Sequence, residues 1–310
     1  MSRILIVGQG NIGTFMGATL KASHDVTHYV NHAWETEEDV KLRFNDRREG
    51  KYKLGSDKSY QYKLTNELSE VKDYNYVIIP VNHNEFQSVL IKLLPYLHSN
   101  QTLILMGNIW NDFEWIKKNI SIPFIYAFPN FGGAIVNNEL HGWLTGKFTI
   151  GITNKKYKRN LKAVKLLLRK SGFRIKNQSD MKGWLTTHFA YNAGMLLEAA
   201  NKNGFRSMTK SWKSMKNMFL LIKECMIVAN GLGVETKKFG EGKELGLPIW
   251  WNVLKTYLVF LIPGMAKSAD AGKNIQQWRS YAEKIYDTGV KLNIQMPLLE
   301  LNLLKNSKNE

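Results

Sequence analysis

The sequence predicts an α/β protein: a doubly wound, mostly parallel sheet followed by an all-helical domain. Three observations carry that prediction. The chain opens on strand, glycine turn and helix; apolar strand runs alternate with helix-compatible runs through the first half; and beyond Ser179 the strand signals give way to long helical periods. A chain of 310 residues exceeds the size at which one hydrophobic core stops growing. Two domains are therefore expected, residues 1–178 and residues 179–310.

The first element is the most informative. Arg3-Ile4-Leu5-Ile6-Val7 reads as a buried strand, and Gly8-Gln9-Gly10-Asn11-Ile12-Gly13 follows at once, leading into a helix-compatible run from Asn11 to Ala22. In a Rossmann-type dinucleotide-binding unit the first glycine permits the tight turn, the second lets the backbone approach a pyrophosphate, and the third lets helix pack closely on strand. Backbone N–H groups at the helix start attract the anion. Gly8, Gln9, Gly10, Asn11, Ile12 and Gly13 are thus candidate cofactor-binding residues.

A second strand is expected at Asp25 to Val30, then a polar, mixed-charge stretch from Asn31 to Lys53 and a short strand at Tyr60 to Leu64. Tyr76-Val77-Ile78-Ile79-Pro80 is the next buried strand. A helix from about Asn84 to Leu94 follows and stops before Pro95. Further strands are expected at Thr102 to Met106, Phe124 to Ala127 and Phe148 to Thr153, the last two separated by Asn130-Phe131-Gly132-Gly133. A basic amphipathic helix from Lys156 to Lys170 and a strand at Phe173 to Lys176 close the first domain.

In the helical half, Leu247 to Met265 is the most apolar stretch. Asn252 and Lys255 interrupt it and Pro263-Gly264 ends it, so it is expected to be a buried core helix, not a membrane span. The formal net charge of +17 is spread evenly, with 25 basic and 15 acidic residues up to position 178 and 18 and 11 after it. Even spreading favours solubility and the attraction of anionic ligands, whereas a nucleic-acid binder concentrates charge on one face or in a tail. The single cysteine, Cys225, excludes a disulfide framework and a cysteine-based metal cluster. No cleavable leader is read ahead of the first strand, and a cytoplasmic location is expected. The expected partner is a small-molecule substrate, with no nucleic acid, no membrane and no metal; a homodimer is left open.

Cofactor choice is read at the end of the second strand, where an Asp or Glu would accept a hydrogen bond from the adenosine ribose and indicate NAD. Here the strand ends Val30-Asn31-His32, with no acid to repel a 2′-phosphate. With Asn31, His32, Lys41 and Arg43 available, NADP(H) is expected over NAD(H), and Trp34 is expected to pack nearby.

Several local motifs extend beyond the glycine turn. They are Pro80-Val81-Asn82-His83-Asn84-Glu85 after the fourth strand, Gly107-Asn108-Ile109 after the fifth, and Trp184-Leu185-Thr186-Thr187-His188-Phe189-Ala190-Tyr191-Asn192 opening the helical half. A late run, Trp278 to Val290, leads into Ile294-Gln295-Met296-Pro297. In this order the chain resembles the ketopantoate reductase family over nearly its whole length. The resemblance implies reduction of a ketone at the cleft between the two domains, with Pro80, Val81, Asn82 and Asn108 beside the cofactor. It also implies that Phe128-Pro129-Asn130-Phe131-Gly132-Gly133 adjusts specificity near the active site. The chain departs from the family pattern in three places. Asn82 stands where the family has a lysine after the fourth strand, His188 where it has the catalytic lysine, and Gln276 or Gln277 where it has a substrate-binding carboxylate.

His188 and Asn192 are four residues apart and share one helix face with Trp184. A histidine can neutralise charge that builds on a carbonyl oxygen as hydride arrives, a contribution of about 100 to 10,000-fold. Asn108 and Asn192 can donate hydrogen bonds to that oxygen or to a neighbouring carboxylate. The expected activity is NAD(P)H-dependent reduction of a small 2-keto acid or related ketone, with His188, Asn192 and Asn108 as catalytic residues and a substrate other than ketopantoate. Two alternatives stay open: an NADP(H)-binding sensor that has lost turnover, and an opine-type or 3-hydroxyacid dehydrogenase.

Overall fold

The structure is a computed structural model that describes residues 1–31, 39–46, 58–261 and 269–304. His32, Trp34, Pro263 and Gly264 lie outside the described residues. The chain divides into two compact units, Met1–Met181 and Lys182–Glu310.

The first unit is built on strand β1 (Arg3–Val7), whose Ile4, Leu5 and Ile6 are completely buried. Each such side chain removed from water contributes about 1.5–3 kcal/mol, which is why so short a run holds the centre of the sheet. Helix α1 (Asn11–Leu20) follows the glycine turn, and β2 (Asp25–Tyr29) returns parallel to β1. Then come β3 (Val40–Asp46), β4 (Lys58–Tyr60), β5 (Leu64–Thr65), β6 (Tyr76–Ile79), α2 (Phe86–Leu93), β7 (Thr102–Leu105) and α3 (Phe113–Asn119). A long pair, β8 (Phe124–Val136) and β9 (Glu139–Gly151), precedes α4 (Lys158–Lys170) and β10 (Arg174–Asn177).

Among the described residues these strands form one mixed sheet in the order β4-β3-β9-β8-β7-β6-β1-β2-β5, with β10 paired to β9. The run β8-β7-β6-β1-β2-β5 is parallel throughout. The expected doubly wound, mostly parallel sheet is therefore present, and the turns after β1, β2, β6 and β7 all leave its same, carboxyl edge, where ligands bind in open α/β sheets.

Three expectations are corrected. The stretch from Asn31 to Lys53 contains β3, which pairs with β9 and β4. The Asn130-Phe131-Gly132-Gly133 segment lies inside β8, not between strands: β8 and β9 pair antiparallel along most of their length, with an irregularity between Pro129 and Phe131. Gly133 faces Gly142 across the pair, and a Cβ on Gly133 would lie 2.8 Å from the Gly142 Cα, so glycine here serves close strand approach and not a turn.

The second unit is helical: α5 (Met181–Asn201), α6 (Phe205–Met208), α7 (Trp212–Gly231), α8 (Gly240–Glu244), α9 (Ile249–Phe260), α10 (Ile275–Lys291) and α11 (Pro297–Leu304). Helices α5 and α7 pack closely because Gly194 has no side chain; a Cβ there would lie 2.5 Å from the Ile222 backbone nitrogen. The third correction is α9. Only Asn252 and Val253 of it are buried, while Trp250, Trp251, Leu258 and Val259 are exposed, so it is a surface helix and not a core one. No described helix is long and apolar enough to cross a membrane.

Candidate functional site

The glycine turn has the geometry its spacing predicts. Gly8 adopts φ +92°, open to glycine at no steric cost, and its N–H donates to the Tyr29 carbonyl at 2.8 Å. Gly10 caps α1 in an extended conformation with no side-chain cap, and Asn11 and Ile12 form the first turn. A Cβ at Gly8 or Gly10 would meet nothing within 4 Å, so open space lies in front of both; one at Gly13 would lie 2.8 Å from the Gly8 oxygen. This is a cradle a phosphate can enter, bounded by a helix start whose partial positive charge favours an anion.

Behind the turn lies a buried polar brace. The Gly8 carbonyl can only accept, so the 2.8 Å contact with His28 Nδ1 places the ring proton there, and His28 Nε2 accepts from the Tyr60 hydroxyl at 2.9 Å. Burial pushes the Tyr60 phenol up, which keeps it a donor, and burial pulls His28 down to about 4 against the opposing bond to Gly8. Alongside, Tyr62 Oη donates to Thr14 Oγ1 at 2.5 Å, and Thr14 Oγ1 donates to the Gln9 carbonyl at 3.0 Å. Two successive carbonyls of the turn are thus held from the protein side. Gly17, one turn beyond the fingerprint, leaves room for this brace, since a Cβ on it would lie 2.5 Å from His28 Nε2 and still closer to Tyr60 Oη.

A cleft of about 390 Å³ opens beside the turn, lined among others by Gly8, Gln9, Asn31 and Val81. Of the remaining cofactor candidates, Pro80 and Asn82 flank Val81 in the turn after β6, and Asn82 is exposed. Asn11 spends its side-chain oxygen on the Ile135 N–H of β8 at 2.9 Å. Asn108 is half-buried in the turn after β7, where its neighbour Gly107 packs 2.9 Å (Cβ position) from the Val81 oxygen. Lys41 and Arg43 do not line the cleft: both are on β3, and Arg43 Nε pairs with Glu139 at 2.9 Å. A cation that the sequence reading missed, Lys92 of α2, does line it, and its Nζ donates to Asn31 Oδ1 at 2.9 Å.

In the second unit, His188 and Asn192 lie on one face of α5 as the spacing predicts, with Asn192 Nδ2 and His188 Nε2 3.0 Å apart. Trp184 stacks on the imidazole at 5.2 Å between centroids and 8° between planes. The sequence reading missed the remaining partner. Glu241, in α8, places Oε1 2.7 Å from His188 Nδ1, and its Oε2 is buried with no partner among the described residues. A carboxylate can only accept, so Nδ1 carries the proton and Nε2 accepts from Asn192, one self-consistent tautomer. Burial, with Glu244 and Glu241 nearby, pushes the adjacent Tyr191 phenol up. Gln276 is exposed and Gln277 half-buried in the first turn of α10. No group of three or more His, Cys, Asp or Glu among the described residues could hold a metal ion.

Comparison with known proteins agrees with this architecture. A sequence model of the family described as ketopantoate reductase PanE/ApbA matches residues 4–155. No curated protein matches the chain by sequence. Among solved structures, 2-dehydropantoate 2-reductase from Geobacter metallireducens is similar with a TM-score of 0.75 at 15% identity, over 99% of this chain and 100% of that one. A D-mandelate dehydrogenase in complex with NADH and anilino(oxo)acetate has a TM-score of 0.74 at 13% identity, covering 97% and 96%. A dimeric ketopantoate reductase from Staphylococcus aureus has a TM-score of 0.69 at 14% identity, covering 97% and 96%. Identities this low speak for the fold alone: the whole chain shares the fold of these ketopantoate reductases, and residues 4–155, the β1 glycine turn and the sheet that carries it, match the ketopantoate reductase PanE/ApbA family model.

Proposed function

We propose that the protein is an NADPH-dependent reductase of a small 2-keto acid or related ketone, with His188 as proton donor. The observation that carries this reading is the constellation around His188: a carboxylate on one ring nitrogen, an amide on the other and an indole stacked on the face. A merely structural histidine needs no such set of three. The pairing of nucleotide and keto-acid analogue in the D-mandelate dehydrogenase complex supports the substrate class.

The residues present fit a dinucleotide. Gly8 to Gly13 would hold the pyrophosphate, Asn31 and Val81 would line the adenosine side of the cleft, and Pro80, Asn82 and Asn108 stand along the same sheet edge. When bound, the nicotinamide supplies hydride to the carbonyl carbon. The protein's task is then the oxygen. His188 Nε2 gives its proton to the oxygen as charge builds there, while Glu241 holds Nδ1–H and Trp184 limits ring rotation. In the observed tautomer Asn192 donates to Nε2; once Nε2 is protonated, Asn192 must turn its amide or let go, and either movement presents Nε2–H to a ligand. Asn108 is proposed as a second donor. Asn82, His188, Gln276 and Gln277 occupy positions at which the resemblance expects other side chains, so a ketone other than ketopantoate is the proposed substrate.

Consumption of NADPH, followed by loss of nicotinamide absorbance against a panel of 2-keto acids, tests the reading. Turnover is expected with at least one of them. NADPH binding with no turnover would overturn the enzyme in favour of a nucleotide-binding sensor, and a product containing an added amino acid would redirect it to an opine-type dehydrogenase. The dimeric Staphylococcus aureus structure supports a homodimer, which size-exclusion chromatography with light scattering tests.

A further inference from the structure

Lys92 occupies a place that the glycine fingerprint does not specify. It lies on the face of α2 that lines the cleft, with Glu85, Ser88 and Val89 at spacings that put all four on one side of a helix. Its Nζ is fixed twice, by the 2.9 Å bond to Asn31 Oδ1 and by a position 5.3 Å from the centre of the Tyr29 ring. Both contacts are with the carboxyl end of β2, where an acid would otherwise take the ribose 2′-hydroxyl. We propose that Lys92, steadied by Asn31 and Tyr29, receives the 2′-phosphate of an adenosine and is the residue that makes the cleft select NADP(H) over NAD(H).

The proposal rests on the reductase reading above and deepens it. A lysine ammonium has three donors, and Asn31 takes one, leaving two for phosphate oxygens. Holding a flexible side chain in place before binding removes part of the entropy that ordering it would cost. Glu85, the N-cap of α2, is the acid lining the same cleft, but it forms no ion pair with Lys92, whose Nζ is turned instead to Asn31 and Tyr29. Asn31 adds an amide that can turn its Nδ2 toward an anion. Lys92 is exposed, so solvent screens its attraction and the expected discrimination is moderate, about 10- to 50-fold.

The test needs no turnover. Calorimetric titration of the full-length protein with adenosine 2′,5′-bisphosphate and with 5′-AMP compares wild type, Lys92→Met and Lys92→Arg. Wild type is expected to bind the bisphosphate about 10-fold or more tightly than AMP. Lys92→Met is expected to lose most of that preference while changing AMP affinity far less, and Lys92→Arg to keep it; retained AMP binding shows that the variant is folded. A preference unchanged in Lys92→Met overturns the role of Lys92 and leaves the NADP(H) reading standing. Equal binding of both nucleotides by wild type overturns the NADP(H) reading itself.

Discussion

His188 Nδ1 lies 2.7 Å from Glu241 Oε1, a contact that joins α5 to α8 across 53 residues of sequence. It fixes Nδ1 as the nitrogen that carries the ring proton and leaves Nε2 as the acceptor to which Asn192 donates, the nitrogen that the proposed reading makes the reacting one. Glu241 therefore acts through His188, and its removal cannot cost more than removal of His188 itself. His188→Ala is expected to lower kcat/KM by about 100 to 10,000-fold, and Glu241→Gln by a smaller factor of about 10 to 100. The double variant is expected to be no slower than His188→Ala alone, because the carboxylate then has nothing to orient. A Glu241→Gln loss that persists at full size in the His188→Ala background would show that the carboxylate has an independent role.

His28 predicts how stability depends on pH. Its pKa is about 4 in the fold, chiefly through burial, against the usual 6.5 in an unfolded chain. Between these values the unfolded state takes up a proton that the fold refuses, so stability falls as pH drops from 6.5 towards 4 and this contribution levels off below. The span amounts to about 3 kcal/mol. Urea unfolding at a series of pH values should show the slope, and His28→Gln, which has no titrating group, should flatten it. An identical slope in the variant would assign the acid sensitivity elsewhere.

How far the site can be read in the sequence depends on the distance over which each part is encoded. The glycine turn is local: strand, Gly8, Gly10 and Gly13 lie within eleven residues of one another, and every conformational demand falls on them directly. His188 and Asn192 are equally local, one helical turn apart. Lys92 and Glu241 are invisible because each finds its partner through the fold, Lys92 through the return of β2 beside α2, Glu241 through the packing of α8 on α5. The long β8–β9 pair is hidden for a different reason. Gly132-Gly133 carries a turn signature, and only the facing Gly142 reveals that the glycines admit close backbone approach. In α9 the apolar run specifies the helix but not which of its sides is covered.

Gly17 is expected to be as demanding as the fingerprint glycines. A methyl group there meets Tyr60 Oη and His28 Nε2, both already committed to each other. Gly17→Ala should break that bond, cost about 1–3 kcal/mol of stability as overpacking does, and loosen His28 from the Gly8 carbonyl. Nucleotide affinity should fall together with stability. His28→Gln in the same background would then cost little more, since the brace is already undone; an additive loss would mean that Gly17 and His28 act separately.

Glu198 provides a test of what holds the helical unit together. It is 1% exposed, and its two oxygens accept from Ser214 Oγ at 2.5 Å and from Asn217 Nδ2 at 2.6 Å, tying α5 to α7. Glu198→Ala strands the Ser214 hydroxyl, leaves Asn217 Nδ2 only its 3.3 Å bond to Asn302 Oδ1 and opens a cavity, an expected loss of about 2–4 kcal/mol in urea unfolding. Glu198→Gln keeps the acceptor for Ser214 but turns an N–H₂ against the Asn217 N–H₂, a conflict of two donors costing about 1–3 kcal/mol. Adding Asn217→Asp reverses the direction of that hydrogen bond: the new amide on α5 donates to the new carboxylate on α7, and the negative charge moves by one side chain. The double variant Glu198→Gln/Asn217→Asp should therefore recover part of the stability lost in Glu198→Gln, less the Asn217 bond to Asn302 Oδ1 that a carboxylate cannot make. If the losses simply add, the packing of α5 on α7 at Gly194, and not the hydrogen-bonded carboxylate, sets the stability of the pair.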